Sequence, residues 1–161
     1  MNVLIYSLLM LIGTTDKVDS FDIDEVIPEI AVDVCKHTKN ATDKNKKEAL
    51  KIARILYAVE GEMGVPDEMR GMTLSAACIE SSFKPDALGD RKFSKNKKTP
   101  NAVGVLQMWK WYEKTYGVNR KDPKSSAQGW IKHIKRMLPK VKKQCRYKTV
   151  RRLWTAAWVT G

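Results

Sequence analysis

The sequence predicts an all-α domain, with an α domain that has one small β-hairpin at residues 84–103 as the alternative. Through most of the 161 residues, apolar side chains recur every three or four positions, which is the period of helices that bury one face. No pair of alternating segments around a tight turn stands out as a strand pair. Residues 84–103 have no apolar period, so we expect a long surface loop there, in which the small hairpin would lie. Loops of this length inside compact domains are often functional.

Length and charge limit the classes of protein that fit. A chain of 161 residues is long enough for one domain with a sizeable core, and 43% hydrophobic with 30% charged residues is typical of a globular protein. The net charge of +12 predicts attraction to a polyanion such as nucleic acid, acidic lipid or an anionic wall polymer. Basic residues cluster at Lys92–Lys98 and Lys132–Arg152, without the aromatic strands of an RNA-binding sheet. A solvated basic face is an equally good explanation.

The N-terminus begins with an apolar run, Val3–Ile12, which is too short to span a membrane. It has the length of a secretory signal core, although no Lys or Arg precedes it and Gly13 is followed by a poor cleavage site. We expect residues 1–20 to be a signal or anchor segment that directs export, with a buried helix as the alternative. Residues 21–161 would then form the domain.

The next elements read as three helices. The first starts at Asp22, with acidic residues in its first turn that suit the helix dipole. Its apolar positions are Ile23, Val26, Ile27, Ile30, Ala31 and Val34. Residues 40–47 are polar and predict a loop or cap before a second helix over 49–59. Pro66 with Asp67 is typical of the start of a third helix.

The C-terminal part contains two more predicted helices. An aromatic stretch from Gly104 to Tyr116 leads to a turn at Asp122 and Pro123. Ser125 or Ser126 would then cap a helix that ends near Pro139. The last helix is expected from about residue 148 to residue 161.

The cysteines and histidines show no metal-ligand spacing, so we predict no structural zinc and no cofactor. Cys78 lies in the apolar third helix and is expected to be a buried free thiol. Cys35 and Cys145 could pair in an oxidising compartment.

Glu80 is the strongest candidate for chemistry. The apolar third helix carries this carboxylate to its end, and Pro85 and Gly89 then turn the backbone into the loop. A carboxyl group at the mouth of an apolar element is expected to have a raised pKa and to act as a general acid near neutral pH. A solvated charge at a helix end is the common alternative.

Three ordered blocks of sequence resemble the motifs of soluble-lytic-transglycosylase-type domains. The blocks are Glu80, Ser81, Phe83, Pro85, Ala87 and Gly89, then Gly104, Val105, Leu106, Gln107 and Met108, then Ala156, Ala157, Trp158 and Gly161. Their order and spacing fit the family over about residues 65–161. The chain is similar in particular to the small transglycosylases of bacteriophages and of secretion or conjugation systems.

The resemblance implies a lysozyme-like helical domain that cleaves peptidoglycan between N-acetylmuramic acid and N-acetylglucosamine. Glu80 would make both proton transfers, and the muramyl C6 hydroxyl would attack the anomeric carbon to leave an anhydro-muramyl end. Such an intramolecular attack needs no second carboxylate, unlike the usual two-carboxylate glycosidase. The implied partners are peptidoglycan strands and components of a virion or secretion machine, with no specific nucleic acid, and the implied location is the periplasm, the cell envelope or a virion.

The resemblance also assigns substrate-binding residues. Gln107 would hold polar groups of the sugar, although a buried glutamine in a satisfied network would look the same. Met108 and Trp109 would form the floor of the cleft, for which core packing is the alternative. Ser81 would orient Glu80 or the substrate.

The third block departs from the family, because Trp158 stands where a tyrosine is usual. Its indole offers one N–H donor and no hydroxyl, so it would not assist the leaving group as a phenol does. Trp158 would instead cover Glu80 and raise its pKa.

Two other functions fit the same residues. A goose-type lysozyme would hydrolyse the same bond with water, using Glu80 together with Asp86 or Asp90. A non-catalytic module that binds the wall or nucleic acid is the rival from another class.

Overall fold

The computed structural model describes residues 23–36, 38, 41–90, 100–145 and 149–160. The apolar run at residues 3–12 and the basic cluster at residues 92–98 lie outside these residues, so the expectations about them stay predictions. The described residues are mostly helical with one small antiparallel sheet, which confirms the predicted fold class.

Six α-helices and one 3₁₀ turn are present in the described part of the chain. In chain order they are α1 (Ile23–Val34), α2 (Asp43–Glu62), the 3₁₀ turn (Asp67–Met69), α3 (Met72–Ser81), α4 (Trp111–Tyr116), α5 (Pro123–Cys145) and α6 (Val150–Thr160). Helix α2 packs against α1, α3 and α5, and α6 packs against α5. The core forms where these helices meet, around the fully buried Ala53, Leu56, Ile131 and Ala157. Every described helix is too short or too polar to cross a bilayer.

Helix α2 begins earlier than the sequence pattern predicts. Residues 43–47, expected to be a loop or cap, form its first turns, and the Thr42 hydroxyl accepts a hydrogen bond from the Asn45 N–H at 3.4 Å. The N-cap is therefore Thr42. The polar first turns are mostly exposed, so they add no apolar signal to the periodicity.

Helix α5 is longer than predicted at both ends. The carboxylate of Asp122 accepts the N–H of Ser125 at 2.7 Å, so the cap is Asp122 and not Ser125 or Ser126. The helix then continues through Pro139 to Cys145. Ile134 before the proline and Val141 after it are both buried, and this packing holds the helix together across the missing backbone donor.

The buried face of α1 also differs from the expected one. Ile30 and Val34 are 54% and 68% exposed, whereas Pro28 and Val32 face the core. The spacing of apolar residues in α1 therefore did not predict correctly which side of the helix is buried.

A disulfide joins Cys35, the first residue after α1, to Cys78 in α3. The expectation that Cys78 is a free thiol is wrong, and Cys35, which could have paired with Cys145, is bonded to Cys78 instead. The packing of α1 against α3 brings together two cysteines 43 residues apart in the chain, and no local pattern reports that contact.

The sheet has three short antiparallel strands, β1 (Leu88–Gly89), β2 (Ala102–Val103) and β3 (Met108–Trp109). Leu88 pairs with Val103, and Val103 pairs with Met108. The hairpin expected in residues 84–103 is therefore present, and β3 extends it into the aromatic stretch.

Candidate functional site

Glu80 is the second-to-last residue of α3, and its side chain is exposed. The helix stops at Ser82, whose φ of 56° is left-handed. The N–H of Ser82 donates to the Cys78 carbonyl, and the N–H of Phe83 donates to the Ala77 carbonyl. Phe83 is also left-handed, with a φ of 62°, and its ring is fully buried. The buried ring fixes the turn, so Glu80 sits on a rigid helix end.

The pKa of the Glu80 carboxyl is raised above its usual value. Partial burial is the main cause, and the negative charge of Asp90 adds to it. A general acid needs this direction of shift, because the group then keeps its proton to higher pH.

Asp90 connects Glu80 to an exposed aromatic ring. It follows β1 with a left-handed φ of 53°, and its Oδ2 accepts a hydrogen bond from the Trp109 indole N–H at 3.0 Å. Trp109 is 42% exposed, as a residue that contacts a sugar must be. Asp90 therefore acts electrostatically on Glu80 and holds Trp109 by a direct contact.

Ser81 joins the first block of the resemblance to the second. Its buried hydroxyl lies 2.7 Å from the Val105 carbonyl oxygen and 3.2 Å from that of Ala77. The hydroxyl therefore bonds within the protein, and Ser81 links α3 to the segment between β2 and β3.

Gln107 makes a second connection between the same blocks. Its side-chain amide donates to the carbonyls of Ala87 and Gly104 at 3.1 and 2.9 Å, and its φ of 46° is left-handed. A Cβ on Gly89 would lie 2.1 Å from the Gln107 Oε1, so the glycine leaves room for the amide. Gln107 is half-buried, and its amide holds the loop between the two blocks. This agrees with the alternative prediction, in which Gln107 is a buried glutamine whose hydrogen bonds are satisfied within the protein.

Arg120 holds the sheet by hydrogen bonds to its backbone, and the sequence analysis did not single it out. This buried side chain donates from Nη1 to the carbonyls of Asn101 and Met108 at 3.0 and 2.9 Å. Its Nε forms an ion pair with Glu113 at 2.9 Å, without the alignment of a hydrogen bond. One arginine among 30 basic residues gives no sequence signal for such a role.

Glu60 is the second residue that the sequence did not single out. It is fully buried in α2 and accepts hydrogen bonds from the Gly71 N–H and from the N–H and hydroxyl of Thr73, the last two at 2.6 and 2.7 Å. Burial raises its pKa, and the hydrogen bonds from Thr73 and Gly71 oppose that effect. Arg70 lies 4.0 Å from the carboxylate and over the ring of Tyr57.

Glu60 thus caps the start of α3, the helix that carries Glu80 at its other end. Gly71 occupies the N-cap position and has no side chain to bond the first turn, so the carboxylate from α2 replaces it. A sequence signal existed, because Glu60 falls on the apolar stripe of Leu56, Val59 and Met63.

The other three predicted site residues have different surroundings. Met108 is 2% exposed and belongs to the core, so it is not an open cleft floor. Trp158 is half-buried and packs edge-to-face on Trp130, with ring centres 5.6 Å apart. Asp86 lines an open cleft of about 670 Å³ between α2 and the loop after α3. Of the two candidate second carboxylates, Asp90 is the one that acts on the pKa of Glu80.

A second exposed aromatic side chain follows Trp109 in the chain. Trp111 is 37% exposed and stacks on Tyr112 with centroids 3.8 Å apart. Tyr112 is buried, which raises its pKa to about 12, and the Tyr116 hydroxyl lies 2.9 Å from the His133 Nδ1. This aromatic cluster holds Trp111 at the surface near β3.

In the residues described, no three His, Cys, Asp or Glu side chains come together as a metal site. Comparison of the chain with family models, with curated proteins and with solved structures finds no match.

Proposed function

We propose that the chain is a peptidoglycan lytic transglycosylase in which Glu80 is the single general acid and base. The observation that supports this most is the state of Glu80 itself. Its side chain is exposed in part at the end of α3, and partial burial together with the charge of Asp90 raises its pKa. Such a group can reach a large polymeric substrate while it still holds a proton.

The reaction needs two proton transfers and no water. Protonated Glu80 gives its proton to the glycosidic oxygen as the bond from the anomeric carbon to that oxygen breaks. The C6 hydroxyl of the same muramyl sugar then attacks the anomeric carbon, and the Glu80 carboxylate takes the hydroxyl proton. Glu80 ends protonated, the products are an anhydro-muramyl end and a free 4-hydroxyl, and the atoms balance.

Trp109 suits a role in holding the sugar. Trp109 is 42% exposed and its N–H is bound by Asp90, so we expect a sugar ring to contact the apolar surface of the indole. A sugar ring that lies on this face would be held near β3, on the loop that Gln107 braces. Trp111 would extend the aromatic surface along the glycan strand.

A hydrolase is the second candidate, and the electrostatic effect of Asp90 on Glu80 is the observation that favours it. In that reaction Asp90 would activate a water molecule or stabilise the developing positive charge. Its hydrogen bond to Trp109 instead favours a positioning role. Asp86 fits the hydrolase less well, because it lines the cleft on the α2 side of the loop.

The test is digestion of purified sacculi followed by mass spectrometry of the soluble fragments. The wild-type chain should release fragments with anhydro-muramyl ends, and Glu80→Gln should leave less than a few per cent of the activity. Glu68→Gln, an exposed acid in the 3₁₀ turn, is the matched control and should be fully active.

Each other outcome identifies a rival. Reducing muramyl ends in place of anhydro ends would favour the hydrolase. Binding to sacculi without any cleavage by the wild type, unchanged in Glu80→Gln, would favour the non-catalytic module.

A further inference from the structure

The positive charge of the chain is concentrated at its C-terminal end. Residues 123–161 contain eleven of the 30 Lys and Arg residues and none of the 18 Asp and Glu residues, so they have a net charge of +11. The preceding 122 residues contain nineteen basic and eighteen acidic residues and are almost neutral. The charge therefore belongs to the part of the chain that forms α5 and α6.

Helix α5 places four of these cations in a row. Lys132, Arg136, Lys140 and Lys143 follow one another at intervals of four, four and three residues, so they share one face of the helix. All four are exposed, and the row extends over about 16 Å at 1.5 Å per residue. We call these four residues the basic stripe. The opposite side of α5, with Ile131, Ile134 and Val141, is buried in the core.

Two other cations of α5, Lys124 and Lys135, bind partners at the end of α2. Lys124 forms an ion pair with Glu62 at 2.9 Å, and Lys135 donates to the Met63 carbonyl, so both fasten α5 to the end of α2. In the part of the chain that the structure describes, no stripe residue forms an ion pair with an acidic side chain. Like charges at i and i+4 destabilise a helix, so the stripe gains stability only when an external anion lies on it.

We propose that the basic stripe is a docking surface for a phospholipid bilayer with anionic headgroups. Cations that share one exposed face of a helix can approach a flat surface together. Each cation near an acidic leaflet then contributes to binding. The apolar side of α5 is used by the core, so binding would be by charge at the headgroup level, without insertion.

Nucleic acid is the less suitable polyanion for this stripe. The aromatic residue of α5, Trp130, is buried and offers no ring on which a base could stack. The disulfide between Cys35 and Cys78 also indicates an oxidising compartment outside the cytosol, away from most cellular nucleic acid. The inference rests on the proposed function only in placing the protein at the cell envelope.

The experiment compares two variants of equal net charge in vesicle co-sedimentation. Lys132→Gln, Arg136→Gln and Lys140→Gln together remove three charges of the stripe. Lys44→Gln, Lys47→Gln and Lys51→Gln together remove three exposed charges from α2. Both variants keep the apolar run at residues 3–12, so any binding through that run is common to them.

At low salt, affinity for mixed phosphatidylglycerol and phosphatidylcholine vesicles should fall about a hundredfold in the stripe variant. It should change only a few-fold in the α2 variant. Equal losses in both variants would overturn the proposal, because net charge alone would then explain binding. Equal binding of the wild type to pure phosphatidylcholine, or tighter binding to duplex DNA than to the mixed vesicles, would overturn it too.

Sacculus digestion by the same variants separates this proposal from the proposed function. Vesicle binding needs no active Glu80, so a chain that binds vesicles through the stripe but never cleaves peptidoglycan would contradict the proposed function and leave the docking surface supported.

Discussion

Asp90 interacts with both Glu80, the candidate acid, and the exposed Trp109. Its charge raises the pKa of Glu80, and its Oδ2 holds the Trp109 indole at 3.0 Å. These two effects can be separated, because asparagine keeps an acceptor oxygen and loses the charge.

We predict that Asp90→Asn shifts the pH profile of cleavage and leaves KM almost unchanged. A general acid works while protonated, so activity falls as the pH rises through the pKa of Glu80. Removing the negative charge of Asp90 lowers that pKa, and the alkaline limb of kcat should therefore move to lower pH. Initial rates of sacculus solubilisation across the pH range measure the shift.

Two further variants are the controls for this prediction. Asp90→Ala loses the charge and the acceptor, so the alkaline limb should shift and KM should also rise. Trp109→Phe keeps the charge and loses the donor, so KM should rise without a shift of the limb. If Asp90→Asn reduced activity as severely as Glu80→Gln, Asp90 would be a catalytic carboxylate and the hydrolase would be favoured.

Gly89 is the position where a single methyl group should disturb the site. The added Cβ of Gly89→Ala would overlap the Gln107 side-chain oxygen, and the amide could move only by giving up its bonds to Ala87 and Gly104. We expect Gly89→Ala to lower the free energy of unfolding by about 2 kcal/mol, as measured by urea denaturation. The double variant Gly89→Ala/Gln107→Ala should lose less than the sum of the two single variants. Strict additivity would show that the two side chains do not meet.

At the scale of elements, helix α3 depends on a cap that another helix supplies. The carboxylate of Glu60 satisfies the first turn of α3, and the chain continues from there through one buried helix to Glu80. Loss of this cap should therefore weaken the fold and loosen the support of the Glu80 carboxyl group, the candidate general acid.

We predict that Glu60→Ala lowers the free energy of unfolding by about 3 kcal/mol, because buried donors on Gly71 and Thr73 lose a charged acceptor. Urea denaturation followed by circular dichroism measures it. The control is Glu62→Ala, two positions after Glu60, which removes an exposed ion pair with Lys124. It should lower the free energy of unfolding by less than about 1 kcal/mol. Equal effects of the two variants would contradict the capping role.

At the scale of the whole molecule, the disulfide closes the chain between α1 and α3. The bridged residues are 43 positions apart, and a loop of that length removes much of the freedom of the unfolded chain. The bridge also reaches α3 two residues before Glu80, so it joins the first described helix to the candidate site.

Replacing both bridged cysteines, Cys35→Ser and Cys78→Ser, should lower the free energy of unfolding by about 4 kcal/mol according to the loop-entropy relation. Denaturation of the wild type with and without a reductant gives an independent measurement. A reductant that had no effect on the midpoint would show that the bridge is absent in solution.

The sequence by itself was enough for the helical fold class and the place of Glu80, and it left a hairpin in the loop as one of two alternatives. Each of these depends on local chemistry: apolar residues at helical spacing, or proline and glycine that end a helix. The upward shift in the pKa of Glu80 was predictable for the same reason, since an apolar helix end predicts partial burial.

The tertiary structure alone decided which distant residues meet. Glu60 caps α3, Cys35 bonds to Cys78, and Asp90 lies between Glu80 and Trp109, although each pair is separated along the chain. Tertiary packing also explains why α5 continues through Pro139. Buried side chains on both sides of the proline offset the backbone hydrogen bond that it cannot donate. Periodicity describes how one segment faces a core, whereas these contacts depend on how several segments pack together. No spacing within a segment contains that information.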